Sequence, residues 1–376
     1  MKIIFFQSQF KMGGQQKIVK TIAQELSAEY DVTVYYENHN FFDLSSLKLI
    51  RPLKVKQLIN LFKVFFISLI QFKFSERKMK DLWHLKNVQS TLVSENYDVV
   101  ILSDPYILFV DEIRKMTNAK KTVCWTHNLY ENYIEDRFKI EKQQLLKSMK
   151  SADQIICLEE YTASKWKQIN DNVIIIHNPV TPVTLGTEEK ISSLSSKIVS
   201  FTGRIQVDSK GLDYLCEVAT YLGKGIIIEV AGSGKKKEEK LFKKLISQKR
   251  VSNTVKWVGA LSGEDLAEHY QKSSVFLMCS RFEGFPLVAA EAMSFGLPIV
   301  AFNIPSLREV TSNGTFGILV TTGNAKELAK QINKLLGNFD LLSKYQKLSL
   351  KRAEALSITR IIKKWEVSVL NLKNVK

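Results

Sequence analysis

The chain has 376 residues, of which 45% are hydrophobic and 24% are charged, and it carries a formal net charge of +16 at pH 7. This length exceeds what one hydrophobic core usually holds, so two domains are expected, and the ordinary composition excludes a disordered or fibrous chain. The excess of basic residues favours a polyanionic partner, such as nucleic acid, nucleotide phosphates or an anionic membrane face.

In the first half of the chain, short apolar or β-branched runs alternate with longer helical patterns. This alternation is typical of β-α-β units around a parallel sheet. The strands predicted in this half are residues 3–6, 32–35, 99–102, 122–125, 154–157 and 173–176.

The first residues and the four cysteines bear on the compartment. The apolar run at residues 3–6 is too short for a signal peptide and indicates a buried strand. Cys124, Cys157, Cys216 and Cys279 are far apart in the sequence, a spacing that fits neither a disulfide framework nor a C-x-x-C metal site. We therefore expect a cytoplasmic protein in a reducing compartment.

A glycine pair follows the first predicted strand and precedes an amphipathic helical pattern. Glycines at such a place let a ligand approach the amides of a helix N-terminus. Gly13, Gly14 and Gln15 are therefore candidates for a phosphate or acceptor loop. A tight turn between strand and helix explains the same residues equally well.

Residues 48–80 carry nine basic side chains and a single acidic one, Glu76, which amounts to half of the net charge. The apolar middle of this segment is too short to span a bilayer. As a helix it would have a broad apolar face and a narrow polar stripe, the pattern of an element that lies on a membrane surface. The stripe would consist of Lys56, Asn60, Lys63 and Gln71. A buried helix with its lysines at the rim fits nearly as well.

The pattern pauses after residue 178 and then starts again. Residues 178–196 carry two prolines, a glycine and many Ser and Thr residues without periodicity, and within this stretch the interdomain linker is predicted at residues 181–196. A second series of strands is predicted at residues 198–201, 226–231, 255–258, 275–278, 299–301 and 316–320. The domains are thus predicted at residues 1–180 and 197–355. A C-terminal helix is predicted at residues 356–376, and one option is that it packs back on the N-terminal domain.

Two cations follow the first strand of the second series. Arg204 and Lys210 lie on one segment between a strand and a helix. A guanidinium fork and an ammonium group together could neutralise a leaving diphosphate without a metal. A solvated charged loop is the commoner explanation of such a pair considered alone.

The most specific pattern contains two glutamates, Glu283 and Glu291. Pro286 suits the first turn of a helix, so Gly284 and Phe285 fall at the helix start, where backbone amides face an anion. Glu291 follows in an otherwise apolar helix, where burial is costly unless the carboxylate accepts hydrogen bonds, and ribose hydroxyls are suitable donors. The alternative is that Glu291 pairs within the fold.

This stretch resembles the two-glutamate signature, with seven residues between the glutamates, of the family 4 retaining nucleotide-sugar glycosyltransferases. The likeness covers nearly the whole chain, through the Gly13-Gly14 loop, Asn178-Pro179, Gly203-Arg204 with Lys210-Gly211, and Gly259. It implies the GT-B architecture, in which two Rossmann-like α/β domains with parallel sheets face a central cleft. The N-terminal domain would bind the acceptor and the C-terminal domain the nucleotide sugar.

The resemblance also implies roles for single residues. Arg204 and Lys210 would hold the donor diphosphate, and Glu291 would hold the ribose. Glu283 would face the transferred sugar, and the amides of Gly284 and Phe285 would complete the phosphate and sugar contacts.

His127 follows a predicted strand of the N-terminal domain, where the family often has a histidine near the transferred sugar. His127 and Glu283 are therefore the two candidate catalytic residues. A structural histidine is the alternative. Two departures from the family pattern are the Gln15-Gln16 pair, where Ala or Ser followed by Glu is frequent, and Pro179, where many members have glycine.

We expect no cofactor and no metal, because no Asp-x-Asp pair stands out at the end of a strand. The resemblance implies retention of the anomeric configuration, with the leaving phosphate taking the acceptor proton. We expect a hexose-type sugar from a UDP-sugar, and a lipid-linked or polysaccharide acceptor of cell-surface glycan synthesis. The basic segment at residues 48–80 would bind an anionic membrane, which places the protein on the inner face of the cell membrane.

Three rival interpretations have distinct signatures. A sugar-nucleotide epimerase of the same architecture would need no second substrate. A non-catalytic accessory subunit of a transferase complex would not need Glu283, Glu291, Arg204 and Lys210, which are all present. Nucleic-acid binding lacks a supporting motif.

Overall fold

The computed structural model describes residues 1–11, 13–70, 75–92, 95–180 and 191–371, and of His39 and Ile70 only the backbone. Residues 71–74 of the predicted basic segment and residues 181–190 of the predicted linker lie outside this range. The chain divides into two compact units, Met1–His177 with Ile361–Lys376, and Asn178–Arg360. The residues from Ile361 onward therefore belong to the first unit.

The first unit contains a seven-stranded parallel sheet with the strand order β5-β3-β1-β6-β7-β8-β9, and a small sheet that pairs β2 with β4. The strands are β1 (Lys2–Phe6), β2 (Gln9–Phe10), β3 (Asp31–Tyr35), β4 (Asn38–Asn40), β5 (Lys48–Ile50), β6 (Val99–Leu102), β7 (Lys121–Trp125), β8 (Gln154–Cys157) and β9 (Val173–Ile175). The helices are α1 (Gly14–Leu26), α2 (Lys54–Ile70), α3 (Glu76–Thr91), α4 (Val110–Thr117), α5 (Lys142–Ser151) and α6 (Glu160–Trp166), with a 3₁₀ turn at Tyr106–Leu108 and a π-helical turn at Asn132–Arg137.

The second unit contains a six-stranded parallel sheet with the strand order β12-β11-β10-β13-β14-β15. Its strands are β10 (Ile198–Thr202), β11 (Ile227–Ala231), β12 (Val255–Gly259), β13 (Val275–Met278), β14 (Ile299–Phe302) and β15 (Ile318–Val320). Its helices are α7 (Val207–Lys210), α8 (Leu212–Ala219), α9 (Lys236–Gln248), α10 (Gly263–Gln271), α11 (Leu287–Ser294), α12 (Pro305–Val310), α13 (Ala325–Leu336) and α14 (Phe339–Ala355). A last helix, α15 (Ile358–Ser368), follows.

The central strands are buried on both faces, as expected for parallel sheets covered by helices. In β1, Ile3, Ile4, Phe5 and Phe6 are at most 1% exposed. Each of the twelve strands predicted from sequence is present, with ends that differ by two residues at most. The predicted fold class, two Rossmann-like α/β domains with parallel sheets, is confirmed.

The end of the chain packs into the core of the first unit. The ring centroid of Trp365 in α15 lies 4.7 Å from that of Trp125 and 6.1 Å from that of Phe5. Trp365 is fully buried. Burial of a side chain of this size contributes a few kcal/mol of folding free energy, so α15 is part of the first hydrophobic core.

The structure corrects one sequence prediction at the edge of the first sheet. Residues 48–80 were predicted to bind an anionic membrane surface, with a helix in their apolar middle, and no strand was predicted there, but Lys48–Ile50 is β5, which pairs with β3 in the sheet. A strand of three residues with a charged end gives no alternating pattern long enough to detect. The remainder of that segment, where described, forms α2 and the start of α3.

Candidate functional site

In the second unit, the loops that follow β10 and β11 pack backbone against backbone. The amide of Gly203 donates to the carbonyl of Ala231 at 3.0 Å, and the amide of Ile205 donates to the carbonyl of Ser233 at 2.9 Å. A Cβ on Gly232, whose φ is 151°, would lie 1.8 Å from the carbonyl oxygen of Gly203. Only glycine permits this approach, which fixes the segment that carries Arg204.

Arg204 lies at a small cavity of about 180 Å³ between these loops. Its side chain is exposed, and among the described residues its guanidinium has no recorded hydrogen-bond or ion-pair partner. Thr202, Gly203 and Ser233 also line the cavity. The guanidinium therefore faces the cavity without a protein partner among the described residues, and its contact with a donor diphosphate stays a prediction.

Lys210 and Glu283 form an ion pair at the carboxyl ends of β10 and β13. The Lys210 Nζ lies 2.6 Å from Glu283 Oε1, and the Ser280 hydroxyl donates to the same oxygen at 2.7 Å. The Lys210 and Glu283 side chains are only 16% and 12% exposed. The predicted phosphate ligand and the predicted sugar-facing carboxylate are thus in direct contact.

The position of this ion pair depends on Gly211. Its φ is 62°, and a Cβ there would lie 1.9 Å from the carbonyl oxygen of Cys279. The end of α7 therefore rests directly on the backbone that follows β13. A side chain at Gly211 would force the loops apart and separate Lys210 from Glu283.

Arg281, which the sequence analysis did not single out, joins the same two loops. Its amide donates to the Ser209 carbonyl at 3.0 Å, and its guanidinium donates to both carboxylate oxygens of Asp213, at 2.9 and 2.6 Å. Burial alone would raise the pKa of Asp213, but the hydrogen bonds from Arg281 outweigh it, so the pKa is lowered. The only sequence signal was the place of Arg281 within the two-glutamate stretch.

Gly284 and Phe285 precede α11, which begins at Leu287 with Pro286 as its N-cap residue. Glu291 lies in the middle of this helix and is only 6% exposed. Burial raises the pKa of Tyr270, and the negative charge of Glu291 raises it further. The two glutamates of the signature therefore lie on either side of the first turn of α11.

In the first unit, His127 follows β7 and is 7% exposed. Its Nε2 lies 3.3 Å from the Ser103 hydroxyl, and its ring centroid lies 4.5 Å from that of Trp125. Burial lowers the pKa of His127 to about 3. The imidazole is therefore neutral at physiological pH and can orient a group by hydrogen bonding, but it does not offer a positive charge.

The glycine loop at the start of α1 places the side chain of Gln15 at a cavity. Gly13 is the N-cap residue with an extended φ of 176°, which any residue can adopt. The Gln15 amide donates to Gln7 Oε1 at 3.3 Å, and both residues line a polar cavity of about 320 Å³. Sequence reasoning found Gln15 but missed other residues of this cavity, among them Trp83 and His84.

Helix α2 has its polar and apolar sides reversed relative to an ordinary surface helix. Asn60, Val64 and Ser68 are buried, with Asn60 donating to Asn87 and Ser90 of α3, each at 3.0 Å. The exposed side is apolar, with side chains that are 41% to 69% exposed. They are Val55, Leu58, Ile59, Leu61, Phe62, Phe65, Phe66 and Leu69.

The exposure of this face contradicts one of the two interpretations of the segment. A helix buried in the N-terminal domain is wrong for α2, because its broad apolar face contacts no part of the described chain closely enough to be covered. Lys56 belongs to the packed side, since its Nζ donates to the carbonyl of Ser90. Within the described residues, no helix is long and apolar enough to cross a bilayer.

Two family models match the chain. Residues 187–352 match the glycosyl transferases group 1 model, and residues 12–183 match the Glycosyltransferase Family 4 model. Together the two matches span most of the sequence, and they meet in the segment predicted as the linker.

Curated relatives agree with this assignment. An uncharacterised glycosyltransferase of Haemophilus influenzae is 29% identical over 294 residues, which are 76% of this chain and 80% of that protein. A 41.2 kDa protein of the cps region of Klebsiella pneumoniae is 28% identical over 263 residues, which are 64% of this chain and 70% of that protein.

The fold agrees as well. The crystal structure of HepE from Anabaena in complex with UDP superposes with a TM-score of 0.79 at 17% sequence identity, covering 99% of this chain and 100% of that chain. The two transferase family models match most of the sequence, and a GT-B structure matches the two parallel-sheet units over their whole length. The chain is therefore a group 1, or family 4, glycosyltransferase with the GT-B fold.

Proposed function

We propose that the chain is a retaining glycosyltransferase that transfers a hexose-type sugar from a UDP-sugar to a lipid-linked acceptor in the synthesis of a cell-surface glycan. The observation that carries this proposal is the ion pair between Glu283, after β13, and Lys210, which follows β10 on the same segment as Arg204. It joins a phosphate-type cation to a sugar-facing carboxylate within hydrogen-bond distance.

In this proposal the donor diphosphate contacts Arg204 and Lys210, which stabilise the negative charge that develops as the diphosphate leaves. The amides of Gly284 and Phe285 at the start of α11 add backbone donors, and Glu291 accepts hydrogen bonds from the ribose. The complex of HepE with UDP supports a uridine diphosphate sugar as the donor. No metal is required, since the cations of the protein supply the neutralising charge.

Transfer proceeds on one face of the sugar. The bond between the anomeric carbon and the diphosphate oxygen breaks, the acceptor oxygen bonds to that carbon from the same side, and the acceptor proton passes to the leaving phosphate. Glu283 and neutral His127 position the reacting groups and are not nucleophiles. A neutral imidazole suits this role, because the pKa of about 3 keeps His127 from competing for the acceptor proton at physiological pH.

The membrane part of the proposal rests on α2. Its exposed apolar face matches the acyl boundary of a bilayer, and Lys54 and Lys63 are exposed cations on the same helix. No acidic residue occurs between Asp43 and Glu76, so the charge of this region suits anionic lipid. The protein would lie at the inner face of the cell membrane, where a lipid-linked acceptor is found. The relative from a cps region favours a capsule-type glycan.

The donor assignment is tested with a panel of UDP-, GDP- and dTDP-sugars. We expect one UDP-sugar to raise the melting temperature and to be slowly hydrolysed, with NMR of the released sugar showing the donor's anomeric configuration first. EDTA should leave the rate unchanged. An inverted product, a C2-epimerised sugar nucleotide, or activity that EDTA abolishes and manganese restores would each contradict the corresponding part of the proposal.

The membrane assignment is tested by co-sedimentation with phosphatidylglycerol vesicles. The wild-type protein should pellet at low salt and less so at high salt, because screening weakens the attraction between surface charges. Substituting Glu for Lys54 and Lys63 should release it, whereas the same change at Lys142 and Lys150 on α5 should not. Failure of the wild-type protein to bind anionic vesicles at low salt would remove the membrane from the proposal.

A further inference from the structure

The polar cavity of about 320 Å³ in the first unit lies where three parallel strands end. Gln7 follows β1, Asn38 lies in the segment after β3, and Asp104 follows β6, and all three line the cavity. The carboxyl ends of parallel strands are where open α/β sheets bind their ligands. The other wall is α3, which contributes Lys80 and His84.

Buried charged groups hold these walls in place. Arg137 lies 2.8 Å from Asp81 and 3.1 Å from Asp104, and His84 Nδ1 lies 2.5 Å from Glu37 Oε2. Asp81 and Glu37 are at most 4% exposed. Burying charges contributes little net stability even when they are paired, so such a network is better explained by the ligand-binding surface that it positions.

The lining chemistry is that of a sugar site. The side-chain amides of Gln7, Gln15 and Asn38 both donate and accept hydrogen bonds, as sugar hydroxyls require, and Trp83 offers a flat apolar surface. Since His84 Nδ1 is engaged by Glu37, its Nε2 is the nitrogen left for a ligand. In the described part of the chain no hydrogen bond to this nitrogen is recorded.

Two lysines add a preference for negative charge. Lys11 and Lys80 line the cavity, both are exposed, and neither has a recorded acidic partner among the described residues. The other charged lining residues, Arg137 and Asp104, neutralise each other in part. Asp81 and Glu37, which pair with Arg137 and His84, are buried and do not line the cavity. The charge that faces the cavity without an acidic partner is therefore that of Lys11 and Lys80.

The cavity is also joined to the helix with the exposed apolar face. Trp83 Nε1 donates to the carbonyl of Gln57 in α2 at 2.9 Å, and the Gln57 amide donates to the carbonyl of Glu37 at 3.3 Å. Trp83 of α3 thus contacts α2 and also lines the cavity. A ligand in the cavity and a lipid surface on α2 would be neighbours within the same unit.

We propose that this cavity binds the part of the acceptor that consists of a sugar and its adjoining phosphate, as in a lipid-linked sugar diphosphate. The proposal rests on the proposed function, which makes the first unit the acceptor side. The amides and His84 Nε2 bond to sugar hydroxyls, Trp83 packs on the sugar face, and Lys11 and Lys80 contact the phosphate.

The experiment titrates the protein, saturated with UDP so that the donor site is occupied, with the 1-phosphates of glucose, galactose and N-acetylglucosamine. The corresponding methyl glycosides serve as uncharged counterparts. Binding is measured by calorimetry, and the fluorescence of Trp83 gives a second signal that W83F should remove. At least one sugar 1-phosphate should bind roughly tenfold more tightly than its methyl glycoside, the size of one charge-assisted hydrogen bond.

Three variants locate the site. K11A/K80A should abolish the difference between phosphate and glycoside, whereas K142A/K150A, which removes the same charge from α5, should preserve it. H84Q should weaken both ligands. Should H84Q fail to fold, the lysine pair still decides, because both side chains are exposed. Absence of binding by all three sugar phosphates, or equal binding by K11A/K80A and wild type, would overturn the proposal.

The melting shift with UDP separates this inference from the proposed function. A protein that UDP stabilises but that binds no sugar phosphate keeps its donor assignment and loses the acceptor cavity. A protein that binds sugar phosphate through Lys11 and Lys80 but that no nucleotide sugar stabilises keeps the cavity and loses the proposed transfer reaction.

Discussion

The donor-side loops of the second unit and the pair of helices α2 and α3 in the first unit place their charged and apolar groups in opposite ways. In the loops, Lys210 and Glu283 are mostly buried and satisfied by each other and by Ser280. On α2, polar Asn60 is buried while Phe62 and Phe66 are 58% and 60% exposed. An apolar stripe in a sequence therefore predicts an amphipathic helix but not which of its two faces packs against protein.

The largest effect is expected at the ion pair of the donor side. Glu283→Gln and Lys210→Ala should each lower kcat by roughly 100- to 1,000-fold, as removal of a group that stabilises transition-state charge typically does. Because the two side chains are in contact, the double variant should lose little more than either single one. Steady-state kinetics with the identified donor measures this, and Lys244→Ala on α9 is the matched control.

Additive losses in the double variant would mean that Lys210 and Glu283 act independently despite their contact. Unchanged turnover in both single variants would remove the donor site from these loops altogether.

A smaller effect is expected at Glu291, where the loss should appear in donor affinity more than in turnover. Glu291→Ala should weaken UDP binding by roughly ten- to a hundredfold, since a hydrogen bond to a charged acceptor contributes about 1.5 to 3 kcal/mol. Calorimetric titration with UDP measures the change. Glu268→Ala, at an exposed position of α10, should leave the affinity at its wild-type value. Wild-type affinity in Glu291→Ala would assign this carboxylate a purely structural role.

In α2, replacing a polar residue should destabilise the protein more than replacing a large apolar one, which is the reverse of the usual order. Asn60→Leu removes hydrogen bonds to Asn87 and Ser90 and should lower the free energy of unfolding by about 2 kcal/mol, whereas Phe62→Ser should change it by less than about 0.5 kcal/mol. Urea unfolding of both variants gives the two values, and vesicle binding should weaken only in Phe62→Ser.

Equal destabilisation by the two substitutions would indicate that the apolar face packs against protein. In that case α2 would have no surface left for lipid.

The smallest effect concerns the buried histidine. Burial lowers the pKa of His127 to about 3 in the folded protein from 6.5 in the unfolded chain, so between these values the unfolded chain binds the extra proton. The free energy of unfolding must therefore fall as the pH falls from 6.5 towards 3. Between pH 7.5 and 5.5 the wild type should lose about 1 kcal/mol more than His127→Asn. Parallel unfolding curves at the two pH values would show that the imidazole is not buried in solution.

How far the sequence could be interpreted differs between the two regions for a physical reason. Buried parallel strands are continuous apolar runs, so all twelve predicted strands were found, and the glycines and charges after them marked the donor loops. The contact of Lys210 with Glu283 depends on Gly211 resting on Cys279, which joins residues far apart in the chain. No local pattern encodes such a contact.

The cavity of the first unit was missed for a similar reason. Its charged groups, buried Glu37 and Asp81 and half-buried Asp104 and Arg137, come from four separate segments, and each one alone is indistinguishable from a solvated side chain in the sequence. Of the predicted polar stripe of α2, Lys56 and Asn60 contact α3, Lys63 is exposed, and Gln71 lies outside the described residues. Periodicity could not tell that Asn60 faces α3. Burial of a polar stripe becomes visible only when its partners, Asn87 and Ser90, are placed.

The reversed burial of α2, together with the proposed docking of its apolar face on a bilayer, has a consequence for how its sequence can change over evolutionary time. A bilayer has no fixed shape, so it selects for hydrophobicity and not for side-chain geometry. On the exposed face, Leu, Ile, Val and Phe should therefore replace one another freely among homologues. The buried stripe that contains Asn60 and Ser68 should instead be invariant, because each side chain there fits particular neighbours. In an alignment of homologues, such a helix would show conserved polar positions and variable apolar positions. A helix whose polar face is exposed to water shows the opposite pattern.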